Sequence, residues 1–128
     1  MAISKQLTVM LENKPGALAE LCSELSKVAV NIVAIMAPES KSQTPLRMVT
    51  TSNETAKKVL TALKLNFTEQ DVLAIRLADR PGSLGRLTRK LSENHINVEY
   101  IYGSMVKGMG KALIVVAVSD LERAVKLV

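Results

Sequence analysis

The feature that most constrains this chain is an internal repeat. Asn13-Lys14-Pro15-Gly16-Ala17-Leu18 returns 66 residues later as Asp79-Arg80-Pro81-Gly82-Ser83-Leu84. At the same offset Leu7, Leu11, Leu21 and Leu25 meet Leu73, Leu77, Leu87 and Leu91. Ser26, Asn31, Ile35, Val49 and Val59 likewise meet Ser92, Asn97, Ile101, Val115 and Val125, so the offset reads as free of gaps. Self-similarity at a fixed period decides the architecture before any residue-level argument. A duplicated unit also carries a duplicated loop, which is an expectation about binding stoichiometry.

The 128 residues alone would suggest one domain. The repeat divides them into two units of about 66 residues, each small enough to be marginal alone. They are expected to pack on each other, on a second chain, or on both. Hydrophobic residues make up 48% of the chain, with Phe67, Tyr100 and Tyr102 its aromatics. This describes an aliphatic core and argues against disorder. No apolar run approaches the roughly 20 residues that span a bilayer. The first residues pass directly into strand-like alternation, so no signal peptide is read, and a cytoplasmic protein without a membrane partner is expected.

Cys22 is the only cysteine, which rules out an intrachain disulfide framework and a CxxC motif. It falls on an apolar helical stripe and reads as a buried structural thiol. His95 is the only histidine, so a metal site or catalytic triad within one chain has almost no material. No cofactor site is read. The formal charge of +5 is mild and not clustered overall. The densest basic stretch, Arg86-Leu87-Thr88-Arg89-Lys90, reads as a solvated helix face before it reads as a phosphate or nucleic-acid contact.

Leu7, Val9 and Leu11 alternate as in a half-buried strand, and Leu73, Ile75 and Leu77 repeat them. Pro-Gly then breaks each strand and opens a helix, since proline costs nothing in a first helical turn. Leu18, Leu21, Cys22, Leu25 and Val28 form one apolar stripe, with Leu84, Leu87 and Leu91 as its counterpart. Strands follow at Asn31–Met36 and Asn97–Tyr102, then turns at Pro38–Pro45 and Gly103–Gly110, then strands at Leu46–Thr50 and Lys111–Val118. Leu113–Val118 is apolar on both faces, which marks a central strand covered on both sides. Ala56, Val59, Leu60 and Leu63 mark the next helix, and Ser119-Asp120-Leu121-Glu122 has the capping-box form of its counterpart. A short strand over Phe67–Val72 completes β-α-β-β-α-β and runs without a linker into the second unit, so the units are expected to sit rigidly together. The last strand of the second unit is expected to be missing or truncated, leaving an edge open to pairing with another chain.

Strand, Asn/Asp-basic-Pro-Gly-small-Leu, amphipathic helix, then Asn opening the next strand: this order resembles the ACT domain, in two tandem copies over residues 1–71 and 72–128. The resemblance implies an α+β fold of two ferredoxin-like βαββαβ units, with antiparallel sheets and helices on one face. It implies a regulatory, non-catalytic module that binds an amino acid or similar small ligand. It further implies work through a homodimer or beside a metabolic enzyme. Its ligand-contacting asparagines match Asn13 and Asn31 in the first unit, and Asp79 and Asn97 in the second. Some serine-binding members carry histidine two positions before the first asparagine; Leu11 and Leu77 stand there, so serine is not favoured.

The residues give a physical reason for such a site. Backbone N–H groups at a helix N-terminus are unpaired and the macrodipole is positive there. A carboxylate is therefore welcome at Gly16-Ala17-Leu18 and at Gly82-Ser83-Leu84. Glycine permits close approach, Pro15 and Pro81 set the turn, and Asn13 or Asp79 can meet an ammonium. Asn31 and Asn97 would face the same crevice. The plainer readings are that Asn13 and Asp79 bond their own turn, and that Asn31 and Asn97 end a helix in the left-handed conformation. Lys14 and Arg80 then read as solvated and His95 as a helix-end residue. Met105 to Gly110 precedes a strand, so it is hairpin turn and not dinucleotide fingerprint. An RNA-binding module shares the βαββαβ order but stacks bases on strand aromatics; the central strands here are aliphatic, so no nucleic-acid partner is expected. A purely structural pair that joins through its sheets is the remaining alternative.

Overall fold

The computed structural model describes residues 3–104 and 110–128. Among these residues lie six strands, joined in antiparallel pairs, and four helices. The chain forms two compact units. One is Lys5–Gln70; the other is Asp71–Val128, to which Ile3 and Ser4 also belong.

In the N-terminal unit, strands β1 (Ile3–Glu12), β2 (Ile32–Met36) and β3 (Gln43–Thr50) and helices α1 (Ala17–Lys27) and α2 (Asn53–Ala62) precede β4 (Phe67–Ala78). The strand order is β2-β3-β1-β4. Alternate residues Leu7, Val9 and Leu11 of β1 share one face with Leu46 and Met48 of β3. That face is buried under Leu21 and Leu25 of α1 and Ala56 and Leu60 of α2. On β1 and the start of β4, Thr8 Oγ1 donates to Gln70 Oε1 (2.8 Å), and the fully buried Gln6 donates to the same oxygen (3.3 Å). Polar groups inside a sheet are acceptable only when paired in this way.

The C-terminal unit repeats the pattern with β4 from Asp71 onward, α3 (Ser83–Glu93), β5 (Val98–Gly103), β6 (Lys111–Val118) and α4 (Leu121–Val125). β4 is one strand: the short strand expected at Phe67–Val72 and the first strand of the second unit are continuous. Leu73, Ile114, Val116, Leu87, Leu91 and Ala124 form the core of this unit. β6 lies between β4 and β5, and its neighbouring residues Val115 and Val116 are both fully buried. Successive strand residues point to opposite faces, so both faces of this central strand are covered, as its composition implied.

The register corrects one reading of the repeat. Leu7 pairs with Met48, whereas Leu73 pairs with Val116. The strands β3 and β6 therefore correspond at an offset of 68 and not 66. Two residues are inserted in the connection from β5 to β6. The helices keep the longer offset: Ser52 caps α2, and Asp120 caps α4. The matches of Val49 with Val115 and of Val59 with Val125 are thus coincidental. Residues 105–109 of the connection, with the hairpin reading of Gly108, lie outside the described residues.

Two helix-end readings also change. The cap of α4 is Asp120, which accepts from the Arg123 N–H (3.1 Å). Ser119 does not cap, because its hydroxyl accepts the N–H of Asn97 (2.9 Å). The left-handed residues that end α1 and α3 are Ala29 (φ 58) and His95 (φ 56), not Asn31 and Asn97. Ala29 N–H bonds Ser26 C=O and Val30 N–H bonds Leu25 C=O, closing the helix as a glycine would. A β-carbon in this conformation costs about 1–2 kcal/mol. Ala29→Gly is therefore expected to raise stability by roughly 1 kcal/mol, read as a higher urea midpoint.

The apolar stripe of α1 is narrower than its spacing implied. Leu21 and Leu25 are buried, while Leu18, Cys22 and Val28 are exposed. Cys22 is thus a surface thiol. It lies one residue around the helix from the buried line, on the flank that the sheet does not reach. No helix among the described residues is long and apolar enough to cross a membrane.

Candidate functional site

The two Pro-Gly loops adopt the same geometry. Gly16 and Gly82 each hold φ 91 and act as N-cap of the following helix, with ψ −19 and −13. This left-handed conformation is open to glycine at no steric cost. No side chain caps either helix. The first intrahelical bonds are Glu20 N–H to Gly16 C=O and Arg86 N–H to Gly82 C=O, both 2.9 Å. Ala17 and Ser83 fold back on Lys14 C=O and Arg80 C=O at 3.3 Å. Pro15 and Pro81 are exposed, as are Leu18 (43%) and Leu84 (41%), which stand beside the glycines at matching positions. Each loop thus offers a positive helix end flanked by an exposed leucine.

Asn13 and Asp79 enter these loops by matching main-chain bonds, to Ser42 C=O (2.8 Å) and Gly110 C=O (2.9 Å). The Asn13 side chain donates to the Ser40 carbonyl, so it ties the β2–β3 connection to the loop. This is the turn role in part, carried across the chain to Ser40 and not to its own backbone. Lys14 is not simply solvated: the Glu12 carboxylate lies 2.7 Å away and holds the ammonium above its ordinary value through that hydrogen bond. A pocket of about 170 Å³ opens here, lined by Leu11, Glu12, Lys14, Ala17, Glu20, Leu21, Leu63 and Leu65. Leu63 and Leu65 come from the turn after α2, far along the sequence, and no local motif marked them.

Asn31 and Asn97 are placed elsewhere. β1 and β2 both run antiparallel to β3, so they run in the same direction. The end of β1, with Asn13, and the start of β2, with Asn31, therefore lie at opposite ends of the sheet. They are separated by the length of β3, 8 residues, roughly 25–30 Å at a strand's rise. Within one unit they do not share a crevice, which corrects that expectation; Asp79 and Asn97 are separated in the same way. Asn31 exchanges main-chain and side-chain bonds with Thr51, as Asn97 does with Ser119. Each borders its own pocket. One, of about 450 Å³, holds Asn31 with Cys22, Ser26 and Ala29. The other, of about 430 Å³, holds Asn97 with Thr88, Ser92 and His95 at the matching positions. Sequence reasoning gave Cys22, Thr88 and the serines no part in a site; only the register brings them beside the asparagines.

No curated protein matches this chain. Its fold matches a crystal structure of a protein from Bacteroides thetaiotaomicron with a TM-score of 0.91 and 27% identity, covering 98% of this chain and 86% of that one. The ligand-free regulatory subunit of aspartate kinase from Thermus thermophilus matches with a TM-score of 0.68 and 14% identity, over 99% and 95% of the two chains. Aspartate kinase from Synechocystis matches with a TM-score of 0.64 and 16% identity, over 98% of this chain and 24% of that one. The model of the ACT domain pair spans residues 1–128. With two βαβ-type units opened by the same Pro-Gly loop, this chain belongs to the ACT domain pair family.

Proposed function

We propose that this chain is a non-catalytic sensor that binds an amino acid or similar zwitterion at its strand–helix loops. The observation that carries this reading is the identical build of the two loops. Both present an uncapped helix N-terminus behind a left-handed glycine, next to Asn13 or Asp79. The helix end suits a carboxylate, the Asn or Asp suits an ammonium, and Leu18 or Leu84 offers an apolar wall. Because Asn13 and Asn31 lie far apart within a unit, a site that uses both needs a second copy of the chain. A homodimer follows from this reading, with exposed Leu18, Val33 and Ile35 as apolar surface for it. The Thermus thermophilus protein of like fold is a regulatory subunit of aspartate kinase. By analogy, the listener here is a metabolic enzyme.

Calorimetric titration with a panel of L-amino acids tests the proposal, with sedimentation run in parallel. One amino acid is expected to bind, and Asn13→Ala and Asp79→Ala are each expected to weaken it about tenfold, about 1.4 kcal/mol. If no amino acid binds at about millimolar concentration, the second reading stands. In that reading the chain is an interaction module that pairs through its sheet edges, where Val33, Ile35 and Ile101 are exposed.

A further inference from the structure

We propose that the C-terminal unit carries an anion site that the N-terminal unit lacks, a groove between β4 and α3 that takes a small molecule with several phosphate charges next to an apolar moiety. The groove has a volume of about 660 Å³, within the usual range of about 300–1,000 Å³ for ligand sites. Arg76, Arg80, Arg86, Arg89, Lys90 and Lys111 line it, against one acid, Glu93. Its apolar lining is Ile75, Leu77, Ala78, Leu87 and Val128.

The repeat supplies the control. At the matching positions the N-terminal unit has Met10, Lys14, Glu20, Ser23, Glu24 and Gln43. One cation and two acids there become six cations here. Both units form the same helix-on-sheet pattern, so the fold itself does not need the charge. Lys14 is compensated by Glu12; the residue matching Glu12 is Ala78, which leaves Arg80 without that partner. Among the described residues no salt bridge joins any of the six cations to a carboxylate. The Arg86 guanidinium turns back over the loop, donating to Ser83 Oγ (3.4 Å), and Lys90 Nζ donates to Leu127 C=O (3.1 Å). Arg76 and Lys111 stand one position off Leu77 and Ala112, so their side chains leave from the sheet face opposite α3. Arg80, Arg86, Arg89 and Lys90 bring four like charges to the groove, and an anion that bridges them relieves the repulsion. Arginine forks match phosphate oxygens two at a time. The apolar lining favours a ligand with a flat or aliphatic part over a bare inorganic ion.

This inference goes beyond the amino-acid reading and does not rest on it: the groove is the second unit's counterpart of the pocket beside the first loop, with Leu77, Arg80, Ser83, Arg86 and Leu87 where Leu11, Lys14, Ala17, Glu20 and Leu21 line that pocket, but its charge is its own. The test is calorimetry of the whole chain with ATP, inorganic tripolyphosphate and a short single-stranded RNA. ATP is expected to bind with a Kd below about 1 mM and to weaken steeply with salt, because the groove charges are exposed. The double variant R86Q/R89Q is expected to lose at least about tenfold in affinity, with an unchanged melting temperature. The control K41Q/K58Q, in the other unit, is expected to bind as the parent does. Tripolyphosphate is expected to bind more weakly than ATP. No binding of ATP at about 5 mM, or equal binding by R86Q/R89Q, would overturn the proposal. Tighter binding by tripolyphosphate or by the RNA would also overturn it, in favour of a bare phosphate or nucleic-acid site. Loss of amino-acid binding in Asn13→Ala bears on the loop alone, so the two readings fail separately.

Discussion

Leu7→Ala and Leu73→Ala are each expected to destabilise the protein by about 2–5 kcal/mol, the range for a buried leucine cut to its β-carbon. Both side chains are fully buried, at matching places in the two cores. Leu7 sits opposite Met48, and Leu73 opposite Val116. Each lies on a strand with a strand on one side and helices above, so the void cannot collapse onto a flexible neighbour. Leu18→Ala, at an exposed helix position, is the control and is expected to change stability by no more than about 0.5 kcal/mol. Urea midpoints for the three variants check this. A change below about 1 kcal/mol at Leu7 or Leu73 would show that these cores are not packed as described.

Gly103→Ala is the second large effect. A β-carbon there would stand 2.7 Å from the Leu113 carbonyl oxygen and 2.6 Å from Ile114 Cδ1. The isoleucine methyl can move, but the carbonyl belongs to β6 and is held by the ladder. The glycine also has φ 154, which side-chain-bearing residues rarely adopt. Overpacking of this kind costs about 1–3 kcal/mol, so the melting temperature is expected to fall by several degrees. Gly85 is the contrast. It lies inside α3 with nothing within 4 Å of its virtual β-carbon. Gly85→Ala is expected to stabilise by about 0.5–1 kcal/mol, the helix-interior cost of glycine. The opposite signs of two Gly→Ala changes within twenty residues form a sharp thermal-melt test.

Much of the fold was legible because the two periodicities are plain. Leu7, Val9 and Leu11 alternate, Leu21 and Leu25 recur at helical spacing, and Pro-Gly punctuates both copies at the same place. The register was not legible in detail. An ungapped offset accommodated Val49 and Val115 by chance, since valine is common in strands. Only strand pairing exposed the two inserted residues. The capping box at Ser119 was misplaced by one residue for a related reason. A serine hydroxyl can serve a helix end or a neighbouring strand, and the sequence does not say that Asn97 claims it. Cys22 was assigned to the core because a stripe read from spacing has no width; the sheet covers only its Leu21–Leu25 side.

The candidate site divided in the same way. The glycine loops follow from local chemistry and were found. The distance between Asn13 and Asn31 follows from two antiparallel pairings and needed topology. The basic groove was legible only in part: Arg86, Arg89 and Lys90 form the basic stretch that the sequence shows, but Ile75 and Leu77 of β4 become its apolar wall only through packing.

A zwitterion bound at the two glycine loops sets its carboxylate against their backbone amides. The most direct test is a nitrogen–proton correlation spectrum of the labelled protein during titration with L-amino acids. One amino acid is expected to shift the amides of Gly16 to Leu18 and of Gly82 to Leu84 before all others. Saturating binding that leaves these amides unmoved, or no shift at any amino acid up to about 10 mM, would contradict such a site.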